Sequence, residues 1–170
     1  MFGLFGSKPA PEGPAQFEAV ADVDCSAETM FGLLDLADAR YWKRNVGSVE
    51  NVAKGRFRLH VDMVPDHAFT VVVTDAEPAR LYAFDSQATP RLGRLVQTHE
   101  RYEIVPTGDD ACQIRLLVKA QFEIGMTMRE WKRECEMTGI GVANALTKLK
   151  IHAEMGVEAI RGIEEIQRAA

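Results

Sequence analysis

The sequence has few cysteines and no disulfide pattern. Its three cysteines, Cys25, Cys112 and Cys135, are odd in number and far apart, and they form neither a Cys-x-x-Cys pair nor a Cys/His cluster. This spacing indicates neither a disulfide framework nor a zinc site. We therefore expect a reducing, cytoplasmic compartment.

Long apolar runs and clusters of positive charge are also missing. No run approaches the ~20 residues that span a bilayer, and the N-terminus lacks the basic and apolar regions of a secretory signal. The net charge is −5 without a Lys/Arg cluster, which argues against a nucleic-acid partner. The four histidines are not at metal-ligand spacing, and no phosphate-binding glycine loop or nucleophile elbow is present. The sequence predicts a soluble protein without a transmembrane segment, metal or cofactor.

The composition is that of one globular domain with a sizeable core. The chain has 170 residues, of which 46% are apolar and 26% charged. Residues 1–16 are rich in proline and glycine, so we expect a flexible tail followed by a single domain over 17–170. The tail begins with an apolar cluster, Phe2, Leu4 and Phe5, and weak membrane-surface contact through it is the less favoured alternative to an unpacked tail.

Alternation of apolar and polar residues predicts seven strands. The first covers 17–24, and Ser26 then stands where a helix N-cap belongs. Two short helices are expected, one after Ser26 and one over 36–43. Six further alternating runs are separated by turn residues about every ten positions, which is typical of an antiparallel meander. They lie at 49–53, 57–63, 69–74, 81–85, 96–104 and 114–122.

The C-terminal run from Met126 to Arg168 predicts a long amphipathic helix, because apolar residues recur every three or four positions. An unbroken helix of this length would run ~64 Å, and Gly139 and Gly141 each cost about 1 kcal/mol relative to alanine. We therefore expect a kink at 139–141, or a close backbone approach there. The segment 126–136 is then either a movable lip of a pocket or the plain first half of the helix.

One helix is too narrow to cover the apolar face of a flat sheet of seven strands. A helix is ~10–12 Å across, whereas seven strands at ~4.8 Å spacing form a sheet about three times as wide. We expect an α+β fold in which a curved antiparallel sheet of about seven strands wraps around the long C-terminal helix. A strongly curled sheet leaves space that side chains do not completely fill, so a cavity is expected between sheet and helix.

Three stretches carry a resemblance to a known family. The segments DARYWKRNVGSV (38–49), YEIVPTGDDACQIRLLVKAQF (102–122) and LTKLKIHAE (146–154), in this element order, resemble the START-like superfamily over about 17–160. That superfamily includes the birch-pollen-allergen fold and polyketide cyclases. The resemblance implies a helix-grip fold whose cavity takes lipids, sterols, aromatic polyketides or other apolar molecules.

The alternation places Thr98, Glu100 and Tyr102 on the inward face of their strand. A carboxylate facing an apolar cavity is costly unless it is paired, so Glu100 is the leading functional polar group. A register shift, a bulge, or pairing with Tyr102 or an arginine is the structural alternative. The predicted ligand-binding residues are the inward strand positions and the helix positions opposite them: Phe57, Leu59, Val61, Phe69, Val71, Val96, Thr98, Glu100, Tyr102, Leu116, Val118, Met128, Trp131, Cys135, Val142 and Leu146.

Three functions are compatible with these patterns. The first is binding of a hydrophobic small molecule, a lipid or an aromatic polyketide-like compound, in the cavity. The second is a cyclase or dehydratase activity in which Glu100 and Tyr102 act as an acid/base pair. The third is a protein-interaction or regulatory domain whose cavity is filled by its own side chains, with an unknown protein partner.

Overall fold

The structure is a computed structural model that describes residues 8–169. Seven strands, three α-helices and one 3₁₀ helix make up this part of the chain. In chain order they are β1 (Ala15–Val23), α1 (Ala27–Leu34), the 3₁₀ helix (Trp42–Asn45), β2 (Gly47–Ala53), β3 (Arg56–Val61), β4 (Ala68–Glu77), β5 (Leu81–Thr89), β6 (Leu95–Gly108), β7 (Ala111–Phe122), α2 (Met128–Met155) and α3 (Val157–Ala169).

The seven strands form one curved antiparallel sheet in the order β1-β7-β6-β5-β4-β3-β2. Each strand pairs with its neighbour in sequence, except that β1 pairs with β7. The predicted α+β architecture, with a curved sheet and a long C-terminal helix, is confirmed. None of the helices within 8–169 combines the length and apolarity that a membrane crossing requires.

Helix α2 packs mainly against β1, with fewer contacts to β7. Its apolar stripe meets the inward side chains of β7, and both sets are buried in one core: Leu116, Val118, Val142 and Leu146. The space between α2 and this end of the sheet is therefore occupied by side chains. Inward residues of β3 to β5, such as Leu59, Val71 and Phe84, belong to the same core, but α2 makes few contacts with these strands.

The second predicted short helix, at 36–43, is wrong in position. Only the 3₁₀ helix Trp42–Asn45 forms, and turns precede it. The carboxylates of Asp35 and Asp38 accept hydrogen bonds from the backbone N–H groups of Ala37 (2.9 Å) and Arg40 (2.8 Å). Such local bonds to aspartate compete with helical bonding and favour turns, which explains the shorter helix.

The predicted helix break at 139–141 is also wrong in position. Helix α2 passes through both glycines without interruption and ends at Gly156, whose φ of 84° is in the region that favours glycine. A capping box between Thr127 and Glu130 fixes the start of α2. The alternative of a close approach agrees with the geometry, because a Cβ on Gly139 would lie 3.5 Å from the Phe17 ring.

Residues 8–16 of the predicted tail are held to the rest of the domain by backbone hydrogen bonds. The backbone N–H of Ala10 donates to the carbonyl of Met126 (3.1 Å), and that of Met128 donates to the carbonyl of Lys8 (3.1 Å). Strand β1 begins at Ala15, two residues before the predicted start. These bonds attach the segment to the start of α2. Phe2, Leu4 and Phe5 lie outside the described residues.

Two glycine substitutions in the helical region should change stability in opposite directions. Gly141→Ala should raise the free energy of unfolding by about 0.5–1 kcal/mol, because Gly141 is mid-helix and a Cβ there meets open space. Gly156→Ala should lower it by about 1–3 kcal/mol, because φ 84° and ψ −173° form a conformation that is almost restricted to glycine. Urea unfolding of both variants tests the pair, and a stabilising Gly156→Ala would contradict the expected helix boundary.

Candidate ligand-binding site

A cavity of about 140 Å³ lies on the inner face of β3 to β6, beyond the part of the sheet that α2 covers. Side chains from four strands, from the segment that carries the 3₁₀ helix, and from the loop between β5 and β6 line it. They are Tyr41, Lys43, Leu59, Val61, Phe69, Val71, Phe84, Ser86, Ala88, Leu92, Leu95, Val96, Gln97, Thr98 and Glu100. Most of these side chains are apolar, so the interior favours apolar ligands.

The strand register produces this wall. Leu59 pairs with Phe69, and Phe69 pairs with Ala88. In the next row Val71 pairs with Ser86, and Ser86 pairs with Thr98. Paired residues point to the same side of a sheet, so the rows present a continuous surface of inward side chains. Ser86 and Ala88 are smaller than their partners Val71 and Phe69, so space remains above the sheet at these two positions.

Glu100 faces inward and is held by two hydroxyl groups. The Thr98 hydroxyl donates to Oε1 (3.3 Å), and the Tyr102 hydroxyl donates to Oε2 (3.2 Å). The Tyr102 side chain is buried, and burial, followed by the negative charge of Glu100, raises the pKa of Tyr102 well above its ordinary value. Tyr102 therefore stays protonated near neutral pH and serves as a hydrogen-bond donor. The same two causes, in the same order, raise the pKa of Tyr41.

Aromatic rings support the wall behind Glu100. Tyr102 stacks on Phe84 with ring centroids 6.2 Å apart, and Phe84 meets Tyr82 edge to face at the same distance. The Tyr82 hydroxyl donates to Asp35 (3.2 Å) and accepts from the backbone N–H of Leu36 (3.1 Å). This row ties the inner face of β5 and β6 to the end of α1 and restricts its movement.

Arg44 fixes the segment that contributes Tyr41 and Lys43. Its guanidinium donates to the carbonyls of Leu36 (2.8 Å) and Asp38 (3.2 Å). The Lys43 ammonium lies 5.5 Å from the centre of the Trp42 ring, within the range of a cation–π contact. Lys43 thus brings a positive charge to a cavity whose other charged residue is Glu100.

The loop between β5 and β6 closes one side of the cavity with Leu92. Ion pairs attach this loop to the segment that follows β7 and to the start of α2: Arg91 to Glu123 (2.9 Å), and Arg94 to both Glu123 (3.0 Å) and Glu130 (3.1 Å). These side chains are partly exposed, so each pair contributes little by itself. The pairs form a network and hold Leu92 in place.

The structure divides the predicted binding residues into two groups. Seven line the cavity: Leu59, Val61, Phe69, Val71, Val96, Thr98 and Glu100. The other nine do not: Phe57, Tyr102, Leu116, Val118, Met128, Trp131, Cys135, Val142 and Leu146.

The second group corrects the expected position of the cavity. Phe57, Tyr102, Leu116, Val118, Val142 and Leu146 belong to the main core. Trp131 and Cys135 pack against a separate small cluster around Phe122 and Met126, so the start of α2 does not form a lip of this cavity. Met128, the first residue of α2, is half-buried and absent from the cavity wall. The physical reason is that α2 covers the β1–β7 end of the sheet.

The sequence patterns missed part of the wall. Tyr41 lies in the predicted helix over 36–43, and Leu92 lies between the predicted strands at 81–85 and 96–104. Phe84 lies in the predicted strand at 81–85. Its alternation with the polar Asp85 is the sequence signal that places the Phe84 side chain on the inward face of the sheet. The remaining missed residues are Lys43, Ser86, Ala88, Leu92, Leu95 and Gln97.

Comparison with solved structures identifies the fold of this chain, whereas comparison of sequences finds no match. No protein-family profile matches the sequence, and no curated protein matches it. Solved structures do match. A START superfamily protein from Mycobacterium smegmatis is 18% identical with a TM-score of 0.58, over 79% of this chain and 94% of that one. This chain has the START-like helix-grip fold.

Two further structures share this helix-grip fold. The structure of Ara h 8.0201 is 12% identical with a TM-score of 0.60, over 89% of this chain and 98% of that one. The Zhui aromatase/cyclase from a Streptomyces species is 14% identical with a TM-score of 0.56, over 84% of this chain and 97% of that one. At these identities the likeness establishes the fold, and function rests on the residues of the site.

Proposed function

We propose that this protein binds a small, largely apolar molecule in the cavity over β3 to β6. The observation that supports the proposal is a cavity of about 140 Å³ whose walls are mostly apolar and built from paired strand positions. A ring that buries ~150 Å² of apolar surface gains about 4 kcal/mol at ~25 cal/mol/Å², which corresponds to a dissociation constant near 1 mM.

The volume narrows the predicted ligand class. Sites for drug-sized ligands typically have ~300–1,000 Å³, whereas this cavity has about 140 Å³. An engineered apolar cavity of ~150 Å³ takes up benzene. A single ring therefore matches the space, whereas a lipid or a multi-ring polyketide would require the loop that carries Leu92 to move.

The two alternative functions have less support. For an acid/base enzyme, Tyr102 is behind the wall and donates to Glu100, so the pair does not present two groups to a ligand. For an interaction domain with a filled interior, the side chains between α2 and the sheet are tightly buried, but the space over β3 to β6 is not filled. Binding accounts for both the apolar wall and the remaining space.

Titration with toluene, followed by amide NMR spectra, tests the proposal. We expect saturable shifts with a dissociation constant near 1 mM, centred on Val71, Ser86 and Thr98. Leu146 and Ile160 serve as internal controls, because they belong to the core beneath the helices and should shift little. Absence of saturable shifts, or shifts centred on α2, would overturn the proposal.

A further inference from the structure

Glu100 presents a charge that the described part of the protein does not neutralise. The ion pairs within residues 8–169 do not include Glu100. Its two hydrogen-bond partners are the neutral hydroxyls of Thr98 and Tyr102. A carboxylate accepts about four hydrogen bonds, so about two acceptor positions remain. Because Glu100 lines the cavity, a ligand can reach these positions.

The surroundings of Glu100 specify the size and shape of such a ligand. Three aromatic residues, Tyr41, Phe69 and Phe84, contribute to the wall of a cavity of about 140 Å³. Aromatic walls favour a flat ring through offset or edge-to-face contacts. The space matches one six-membered ring with one small substituent, by comparison with the ~150 Å³ that holds benzene.

The charges in the cavity select among possible substituents. Glu100 repels an anionic group. Lys43, the single basic residue of the wall within the described chain, offsets part of the attraction between Glu100 and a cationic group, which also pays a large desolvation cost in an apolar cavity. A neutral donor avoids the repulsion and most of the desolvation cost, and it gains a charge-assisted hydrogen bond, which is stronger than a neutral one. A hydroxyl group is the smallest substituent that meets these conditions.

We propose that the cavity selects a neutral single-ring aromatic molecule that carries a hydroxyl group, and that Glu100 accepts the hydrogen bond from this hydroxyl. This inference rests on the proposed function, because it requires that the cavity over β3 to β6 binds small apolar molecules. The inference adds the chemical class of the ligand and the residue that recognises its hydroxyl group.

The test compares phenol with toluene, which has the same number of non-hydrogen atoms but no donor. Dissociation constants for both probes are measured by NMR titration of the wild-type protein and of Glu100→Gln, which keeps the shape and removes the charge. We expect the ratio of phenol affinity to toluene affinity to fall about tenfold in Glu100→Gln. Glu100→Met, which removes the acceptor, should lower the ratio at least as far. Benzoate and benzylamine should bind the wild-type protein more weakly than phenol.

The outcomes separate the two proposals. If neither toluene nor phenol binds the wild-type protein, both the proposed function and this inference fail. If toluene binds, but the phenol-to-toluene ratio is the same in the wild type and in both Glu100 variants, the inference fails and the proposed function stands. Tighter binding of benzylamine or benzoate than of phenol would also overturn the inference. Thermal unfolding of each variant, monitored by circular dichroism, verifies that it is folded.

Discussion

Replacing Lys148 with methionine should lower the free energy of unfolding by about 3–5 kcal/mol. Lys148 on α2 pairs with Glu164 on α3, at 2.5 Å, and the two side chains are only 13% and 3% exposed. The second oxygen of Glu164 is buried and has no hydrogen-bond partner among the described residues. Removal of the ammonium therefore leaves a buried carboxylate without compensation, which is the costly case for a buried ion pair. Urea unfolding at neutral pH measures the loss.

Two controls make this stability prediction specific. Arg161→Met removes a surface pair on α3, where Arg161 and Glu158 are 51% and 85% exposed, and should cost no more than about 1 kcal/mol. The double variant Lys148→Met with Glu164→Leu removes both buried charges and should recover most of the lost stability. A loss below about 1 kcal/mol in Lys148→Met, or no recovery in the double variant, would show that this pair does not hold α3 against α2.

Ser86→Phe should abolish detectable toluene binding while the protein remains folded. Ser86 is between Val71 and Thr98 in one row of paired inward residues, at the centre of the cavity wall. A phenylalanine there occupies the space with its own ring and buries the same apolar surface that a ligand would bury. The expected result is a toluene titration without saturable shifts and a melting temperature close to that of the wild type.

Thr70→Phe is the matched control for Ser86→Phe. Thr70 precedes Val71 on β4, is exposed, and points to the outer face of the sheet. The substitution adds the same ring to the same sheet but outside the cavity, so toluene should bind as in the wild type. If both variants bind toluene equally, the ligand occupies another place. If Ser86→Phe unfolds, the smaller change Ser86→Leu provides the comparison and should weaken binding without abolishing it.

The period-2 pattern predicted the strands and the inward face of the sheet, since it depends only on local geometry. Leu59, Phe69 and Val71 illustrate this, because alternation alone places them inward and the structure places them on the cavity wall. The same pattern placed Glu100 inward, but it did not reveal that Tyr102 holds the carboxylate. That hydrogen bond depends on side-chain conformation, which alternation does not determine.

The position of the helix across the sheet was not predictable from periodicity. The apolar stripe through Val142 and Leu146 shows that α2 is buried on one side, but it does not indicate which strands lie beneath that side. The cavity was therefore expected under α2 and lies beside it. Gly139 and Gly141, two residues apart, suggest a helix break at 139–141, whereas the feature that decides the helix end is the backbone conformation of Gly156.

Helix α2 lies over one end of the sheet, at β1 and β7, and the cavity lies over the other end, at β3 to β6. Side chains that α2 buries against the β1–β7 end of the sheet, such as Leu116, Val118, Val142 and Leu146, do not line the cavity. Among the wall residues, Leu59, Val71 and Phe84 belong to the main core, whereas Ser86, Ala88 and Val96 do not. We therefore expect substitutions at Ser86, Ala88 or Val96 to alter the proposed ligand preference with less loss of stability than substitutions at Leu59, Val71 or Phe84.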